Sequence, residues 1–151
     1  LSSTFFRTDG LTIAIGTYKK NINTRVKWHI EHLMHSNINH FPQIHPIFTT
    51  NVPINTTFPV VIIPSIEYNR THTLMKNNAH VERFQTQIDM STSQKHAALY
   101  FLNNTKDNWL IMIDDDAGFY LPNVQKAIYR LSTYFDPEVP LVFGSFVTFG
   151  M

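Results

Sequence analysis

Residues 109–116 read Trp-Leu-Ile-Met-Ile-Asp-Asp-Asp, and this stretch decides the fold and the chemistry that we expect. An unbroken apolar run of this length is typical of a strand that is buried on both faces of a parallel sheet. Three carboxylates follow at the point where the strand ends. Because ligands of such sheets bind beyond the carboxyl ends of the strands, Asp114, Asp115 and Asp116 should lie at the binding edge.

The segments on either side of this stretch alternate between strand and helix patterns. Asn23 or Thr24 is the expected cap of the first helix, and Pro122 opens the last one, where its missing N–H costs nothing. The polar stretch 65–90 is predicted as a long loop with helical pieces. Further strands are predicted at 11–15, 44–48, 60–63 and 141–143, and helices at about 24–35, 92–102 and 122–135. This order predicts an α/β fold, with a mostly parallel sheet and helices on both of its faces.

The composition bounds the class of protein. A chain of 151 residues with 43% hydrophobic and 15% charged residues suits one globular domain with its own core. The net charge of +1 gives no field that favours nucleic acid or an anionic membrane. Since the chain has no cysteine, disulfides and thiolate metal sites are excluded within it. No apolar run reaches the roughly 20 residues of a membrane span.

The acidic triplet suggests a site for a divalent cation. Strand alternation places Asp114 and Asp116 on one side and Asp115 on the other, if the extended backbone continues that far. Crowded carboxylates at an apolar edge are costly, and Mg²⁺ or Mn²⁺ would offset that cost. Such ions often join carboxylates to substrate phosphates, as in a nucleoside diphosphate sugar. The alternative is a solvated acidic turn without a ligand.

Motifs along the chain resemble those of the fringe-like β-1,3-glycosyltransferases, a family that includes fringe and the core-1 galactosyltransferase. The triplet and its strand resemble the family's W-φ-φ-φ-φ-D-D-D segment, where φ is apolar. The stretch Ile13-Ala-Ile-Gly-Thr-Tyr-Lys-Lys20, followed by Arg25, resembles the family's opening. Gln94-Lys-His-Ala-Ala98 resembles its Lys-Ala-Ala helix, and Tyr134-Phe-Asp-Pro-Glu-Val-Pro-Leu-Val-Phe-Gly144 its Tyr-Asp-Pro-Glu-x-Pro stretch. The motifs occur in the family's order.

The resemblance implies a GT-A-type fold, a UDP-sugar donor, Mn²⁺ and inverting transfer to a glycan or glycoprotein. It implies that Thr17 and Arg25 meet the nucleotide and that Asp114 and Asp115 approach its ribose and nearby basic groups. Asp116 is the implied metal ligand, with Asp114 beside it, and Lys95 is assigned to the charge balance of the donor. Where the family has a polar residue and then an aromatic one after the triplet, this chain has Ala117-Gly118.

The resemblance also sets expectations about parts of the protein outside this sequence. The catalytic base and the acceptor-binding part are expected beyond Met151, so residues 1–151 would form one partial domain. A membrane anchor is expected before Leu1, with the domain in the Golgi lumen. Two other readings stay open: a non-catalytic module of the same fold that binds nucleotide or protein, and an unrelated phosphotransfer or hydrolase domain that binds Mg²⁺.

The first predicted helix carries a second group of polar side chains. His29, His32 and His35 are spaced by three, so on a helix they fan over about 120° instead of converging as zinc ligands do. We therefore expect a solvated helix flank at these positions. Trp28 lies away from the apolar face of the same helix, which leaves either a contact outside this chain or simple exposure.

Overall fold

The computed structural model describes residues 8–64 and 81–142, with side chains described for 9–64 and 92–142. Short helical turns at Lys19–Asn21, Ile22–Val26 and Ile38–His40 join the larger elements. The strands are β1 (Thr8–Gly16), β2 (Ile44–Thr50), β3 (Val60–Ile62) and β4 (Asp107–Asp114). The helices are α1 (Lys27–His35), α2 (Val81–Asn104) and α3 (Leu121–Tyr134). In these ranges no helix combines the length and the apolar character that a membrane crossing needs.

The four strands form a parallel sheet in the order β3-β2-β1-β4. After β1 the chain builds outward through β2 and β3, then returns to place β4 on the other side of β1. The strand order therefore reverses between β1 and β4, where Gly16 pairs with Asp114. In open α/β sheets this reversal leaves a crevice beyond the carboxyl ends of the strands. The predicted α/β fold is confirmed, and the acidic triplet lies at the crevice.

Helices cover both faces of the sheet, because alternate residues of β1 point in opposite directions. On one face the main core cluster contains side chains of β1, β2, the turn before α1, α1 itself and α3: Leu11, Ile13, Ile15, Val26, Leu33, Ile44, Phe48, Leu121, Val124 and Ile128. On the other face a smaller cluster joins Ala14, Ile47 and Ala97 of α2. The layers are thus α1 and α3, the sheet, and α2.

The amino-terminal half of the sheet is held together by a buried carboxylate. Asp107, at the start of β4, accepts a 2.6 Å hydrogen bond from the Thr12 hydroxyl of β1. The Nδ1 atom of His45 on β2 lies 2.8 and 3.0 Å from its two carboxylate oxygens. One side chain therefore links three neighbouring strands, at the opposite end of the sheet from the acidic triplet.

Several predicted boundaries differ from the structure. The first helix is not capped by the Asn23 or Thr24 side chain: a turn of π-helix over Ile22–Val26 leads directly into α1. Residues 81–90, predicted as part of a long loop with helical pieces, form the first turns of the continuous helix α2, while 65–80 lie outside the described residues. Leu141 and Val142 are not in a strand, and the rest of that predicted strand is not described.

We expect Gly16→Ala to destabilise the fold through Ser93. A Cβ atom at position 16 would lie 2.8 Å from the Ser93 hydroxyl oxygen of α2 but 3.6 Å from its Cβ. Overpacking of this kind costs about 1–3 kcal/mol. Urea unfolding should show a smaller cost in a Ser93→Ala background, where the clashing oxygen is gone. Equal costs in both backgrounds would contradict this explanation.

Candidate functional site

The middle carboxylate of the triplet is buried and fully engaged. The Asp115 side chain is 3% exposed. It accepts hydrogen bonds from the Thr17 hydroxyl at 2.7 Å, the Asn21 side-chain amide at 2.6 Å and the Arg25 Nη1 atom at 2.9 Å. All three donors belong to the segment that connects β1 to α1. Asp115 therefore joins the end of β4 to the end of β1 across the crevice.

These partners account for the burial of Asp115. An isolated carboxylate is very costly to remove from water, and several donors, one of them charged, offset that cost. The hydrogen bond and the charge of Asp115 raise the pKa of Arg25, and the charge of Asp116 adds to this. The guanidinium thus stays charged, and half of the Arg25 side chain remains exposed to solvent. Arg25 is held at the site with part of its surface available.

Two histidines of α1 hold the backbone of the segment that follows β4. The His29 Nε2 atom lies 2.9 Å from the Asp115 carbonyl oxygen, and the His32 Nε2 atom lies 3.0 Å from the Phe119 carbonyl oxygen. Because a carbonyl oxygen only accepts, the hydrogen in each case is on Nε2. His29 is fully buried, so the prediction of a solvated flank was wrong there. The two Nε2 atoms therefore contact two different carbonyl oxygens and do not converge on one point.

Burial also fixes the charge of His29. Removal from water lowers its pKa, and this outweighs the opposite effects of the Asp115 hydrogen bond and charge. Its second ring nitrogen, Nδ1, is buried without a hydrogen-bond partner in the described part of the chain. His29 is therefore a neutral imidazole that donates through Nε2 only.

Asp114 points to the opposite face of the sheet. It lines a cavity of about 70 Å³ beside α2, together with Ala14, Gly16, Thr49, Ser93, Gln94, Ala97, Met112 and Ile113. Burial raises the pKa of Asp114 above its ordinary value, and the charges of Asp116 and Asp115 raise it further. The predicted separation of Asp114 from Asp115 is thus confirmed. The cavity has polar walls, since the Thr49 and Ser93 hydroxyls form a hydrogen bond there.

Asp116 lies beyond the strand. β4 ends at Asp114, and a turn is closed by the Ala117 N–H, which donates to the Asp114 carbonyl oxygen at 3.0 Å. The alternation of side chains therefore stops before Asp116, which is exposed in the turn. Its charge still acts on Asp114. Two carboxylates, one half-buried and one exposed, are consequently close enough to repel each other.

Gly118, in the segment after the triplet, lies beside the Trp28 ring. A Cβ atom at position 118 would lie 3.3 Å from the Cη2 atom of Trp28. Glycine therefore allows the segment after the triplet to pass close to this indole ring. Trp28 in turn packs edge-on against His29 and stacks on His32. The aromatic residues of α1 and the turn after β4 form one packed unit.

The predicted site residues are brought together to different degrees. Thr17 and Arg25 both contact Asp115 directly. Asp114 precedes Asp115 in the chain, and Asp116 follows it. Lys95 is exposed on α2 and is not one of the residues that line the cavity, whereas its neighbour Gln94 is. The sequence analysis assigned no role in this site to Asn21, His29, Thr49 or Ser93. Asn21 is a polar residue between the predicted strand end and Arg25, and His29 was noted among the three spaced histidines, but neither pattern predicts a contact with Asp115.

Comparisons with protein-family models, curated proteins and solved structures find no match to this chain. Neither a family nor a relative therefore assigns the site. Its function is inferred from the position of the triplet in the sheet, from the contacts of its side chains and from the resemblance of the sequence motifs.

We expect Asp115→Ala to destabilise the protein far more than Asp116→Ala. The first change leaves Thr17, Asn21 and Arg25 without their common acceptor, at a cost of about 2–4 kcal/mol. The second removes an exposed carboxylate, and changes of that kind stay within about 0.5 kcal/mol. Urea unfolding of both variants measures the difference. Similar losses would show that Asp115 does not anchor the turn.

Stability should decline as the pH falls through the ordinary histidine pKa of 6.5, because of His29. Its pKa is lowered in the folded state, so below 6.5 the unfolded chain binds the proton more readily. The contribution of neutral His29 to the free energy of unfolding is therefore fully present above pH 6.5 and is lost as the pH falls. Urea unfolding at about pH 8 and about pH 5.5 should show a smaller difference in His29→Gln than in the parent. An NMR titration giving His29 a pKa of 6.5 or above would contradict the prediction.

Proposed function

We propose that this chain is the nucleotide-sugar-binding part of a metal-dependent, GT-A-type glycosyltransferase similar to the fringe family. In this proposal it transfers a hexose or N-acetylhexosamine from a UDP-sugar, with inversion, to a hydroxyl of a glycan or glycoprotein. Direct displacement of UDP by that hydroxyl forms the new glycosidic bond as the bond to the diphosphate breaks, and the hydroxyl proton passes to a general base. The two substrates meet at the crevice between β1 and β4.

The division of roles within the triplet is the observation that carries the proposal. Asp115 has three donors, whereas within residues 9–64 and 92–142 no hydrogen bond reaches the carboxylate of Asp114 or Asp116. If the triplet were only a structural turn, two further carboxylates at its ends would bring repulsion without benefit. Their position at the crevice, where α/β sheets bind ligands, supports a ligand that carries positive charge.

A divalent cation fits these two carboxylates. Among the described residues no three His, Asp or Glu side chains are grouped to hold a metal ion. Mg²⁺ and Mn²⁺ often bind through only one or two carboxylates, with substrate phosphates and water as the other ligands. When bound, the ion would supply Lewis-acid stabilisation to the departing diphosphate. Asp116 would hold it, with Asp114 beside it.

The other residues of the site would orient the two outer carboxylates of the triplet and the nucleotide. Thr17 is 1% exposed and donates its hydroxyl to Asp115, so we assign it to positioning the turn. Arg25 engages Asp115 through Nη1, and a guanidinium has further N–H donors that can meet a phosphate. Asp115 would thus serve the nucleotide by holding Arg25 in place.

Binding of UDP should require Mn²⁺ and the outer carboxylates. Isothermal calorimetry should detect UDP binding with Mn²⁺ and lose it with a chelator. We expect Asp116→Ala to weaken it about tenfold or more, since a charge-assisted metal contact is lost. Asp114→Ala should weaken it in the same direction. Asp136→Ala is the matched control, because Asp136 is an exposed aspartate beyond α3.

Two results would reject the proposal. One is the absence of UDP binding to the parent protein at any Mn²⁺ concentration. The other is equal affinity in Asp116→Ala and Asp136→Ala, which would mean that the triplet does not hold the cation. Melting curves of each variant show whether a loss reflects unfolding instead.

A further inference from the structure

We propose that Trp28 is a stacking platform for a pyranose ring of the glycan acceptor, on the α1 side of the acidic turn. This rests on the proposed function, because it assumes that a sugar is delivered to that turn. It adds a residue that recognises the acceptor, for which neither the motif resemblance nor the metal site provides a candidate.

The first argument is position. A Cβ atom at position 118 would lie 3.3 Å from the Trp28 ring, so the ring lies beside Gly118, which follows Asp116 by two residues in the same loop. Trp28 also lies one helical turn after Arg25, which is bonded to Asp115. The cavity beside Asp114 opens on the α2 face of the sheet, whereas α1 packs on the other face. Trp28 therefore borders the acidic turn on the α1 side, away from the Asp114 cavity, where a sugar delivered to the turn can reach it.

The second argument is preorganisation. Trp28 stacks on His32 with ring centroids 5.5 Å apart and planes inclined by 6°, and its centroid lies 4.8 Å from that of His29 in an edge-to-face arrangement. Both histidines are fixed by the carbonyl oxygens of the loop. The indole is nevertheless 51% exposed. An exposed ring that is already held in one orientation loses little entropy when a ligand stacks on it.

The third argument is chemistry. A pyranose presents C–H groups on one face and hydroxyls around its rim, so it suits an aromatic face bordered by polar groups. The exposed carboxylate of Asp116, two residues before Gly118 in the turn, can supply such a group. Tyr129, although 74% exposed, lies on α3 near Asp9 and Gln43, at the amino-terminal edge of the sheet. Exposure alone does not single out Trp28; its contact with the turn does.

The test compares sugar binding with nucleotide binding in the same variants. Methyl glycosides of galactose, glucose, fucose, N-acetylgalactosamine and N-acetylglucosamine are titrated in the presence of Mn²⁺ and UDP, and followed by saturation-transfer NMR. We expect Trp28→Ala to weaken the best-bound glycoside about tenfold and Trp28→Phe to weaken it less, because a ring is kept. Tyr129→Ala is the control and should bind like the parent. UDP affinity should be unchanged in all three.

Tryptophan fluorescence gives an independent readout. The chain has two tryptophans, and the indole nitrogen of Trp109 is buried, so a glycoside that stacks on Trp28 should change the exposed component of the emission. That change should be absent in Trp28→Phe. Melting curves show that each variant is folded before its affinity is compared.

The outcomes separate this proposal from the proposed function. Unchanged glycoside affinity in Trp28→Ala, or no glycoside binding to the parent, overturns the platform. A parallel loss of UDP affinity in Trp28→Ala also overturns it, since Trp28 would then serve the nucleotide. Glycoside binding that depends on Trp28, in a protein that does not bind UDP, keeps the platform and rejects the transferase.

Discussion

The need to keep the Asp115 carboxylate hydrogen-bonded inside the protein determines how the crevice is built. Its donors are the residue that follows β1 and two residues of the connection to α1. Asn21 precedes the π-helical turn Ile22–Val26, and Arg25 lies within it. The irregular start of the helix therefore helps to direct both side chains at Asp115. The geometry of the β1–α1 connection and that of the acidic turn therefore depend on each other.

The three aspartates have different environments because β4 ends at Asp114. Asp115, just beyond the strand, is directed to the α1 side and is used structurally. Asp114 still follows the strand and points to α2, and Asp116 stands in the turn. Rigid support from the middle residue holds the outer two at the crevice in spite of their repulsion. In the proposed function, a site built in this way would be preorganised for the cation before any ligand arrives.

The sequence could predict features that depend on local pattern. β4, the position of the triplet and the apolar face of α3 follow from a continuous apolar run and a helical repeat. The start of α2 was missed because residues 81–90 are polar and show no clear period. The burial of His29 and the partners of Asp115 depend on residues some 90 positions away, for example Arg25 and Asp115 at a separation of 90. Local pattern contains no information about such pairs.

That separation has a consequence for the order in which the protein assembles. β1 can pair with β2 while the chain is being made, but its other edge stays open until β4 emerges, roughly 90 residues later. Contacts so distant in sequence close slowly, and open strand edges are prone to pair with other chains. During this interval Asn21 and Arg25 still lack Asp115. The same long-range links that build the crevice thus leave one edge of β1 unpaired for much of the time in which the chain is made.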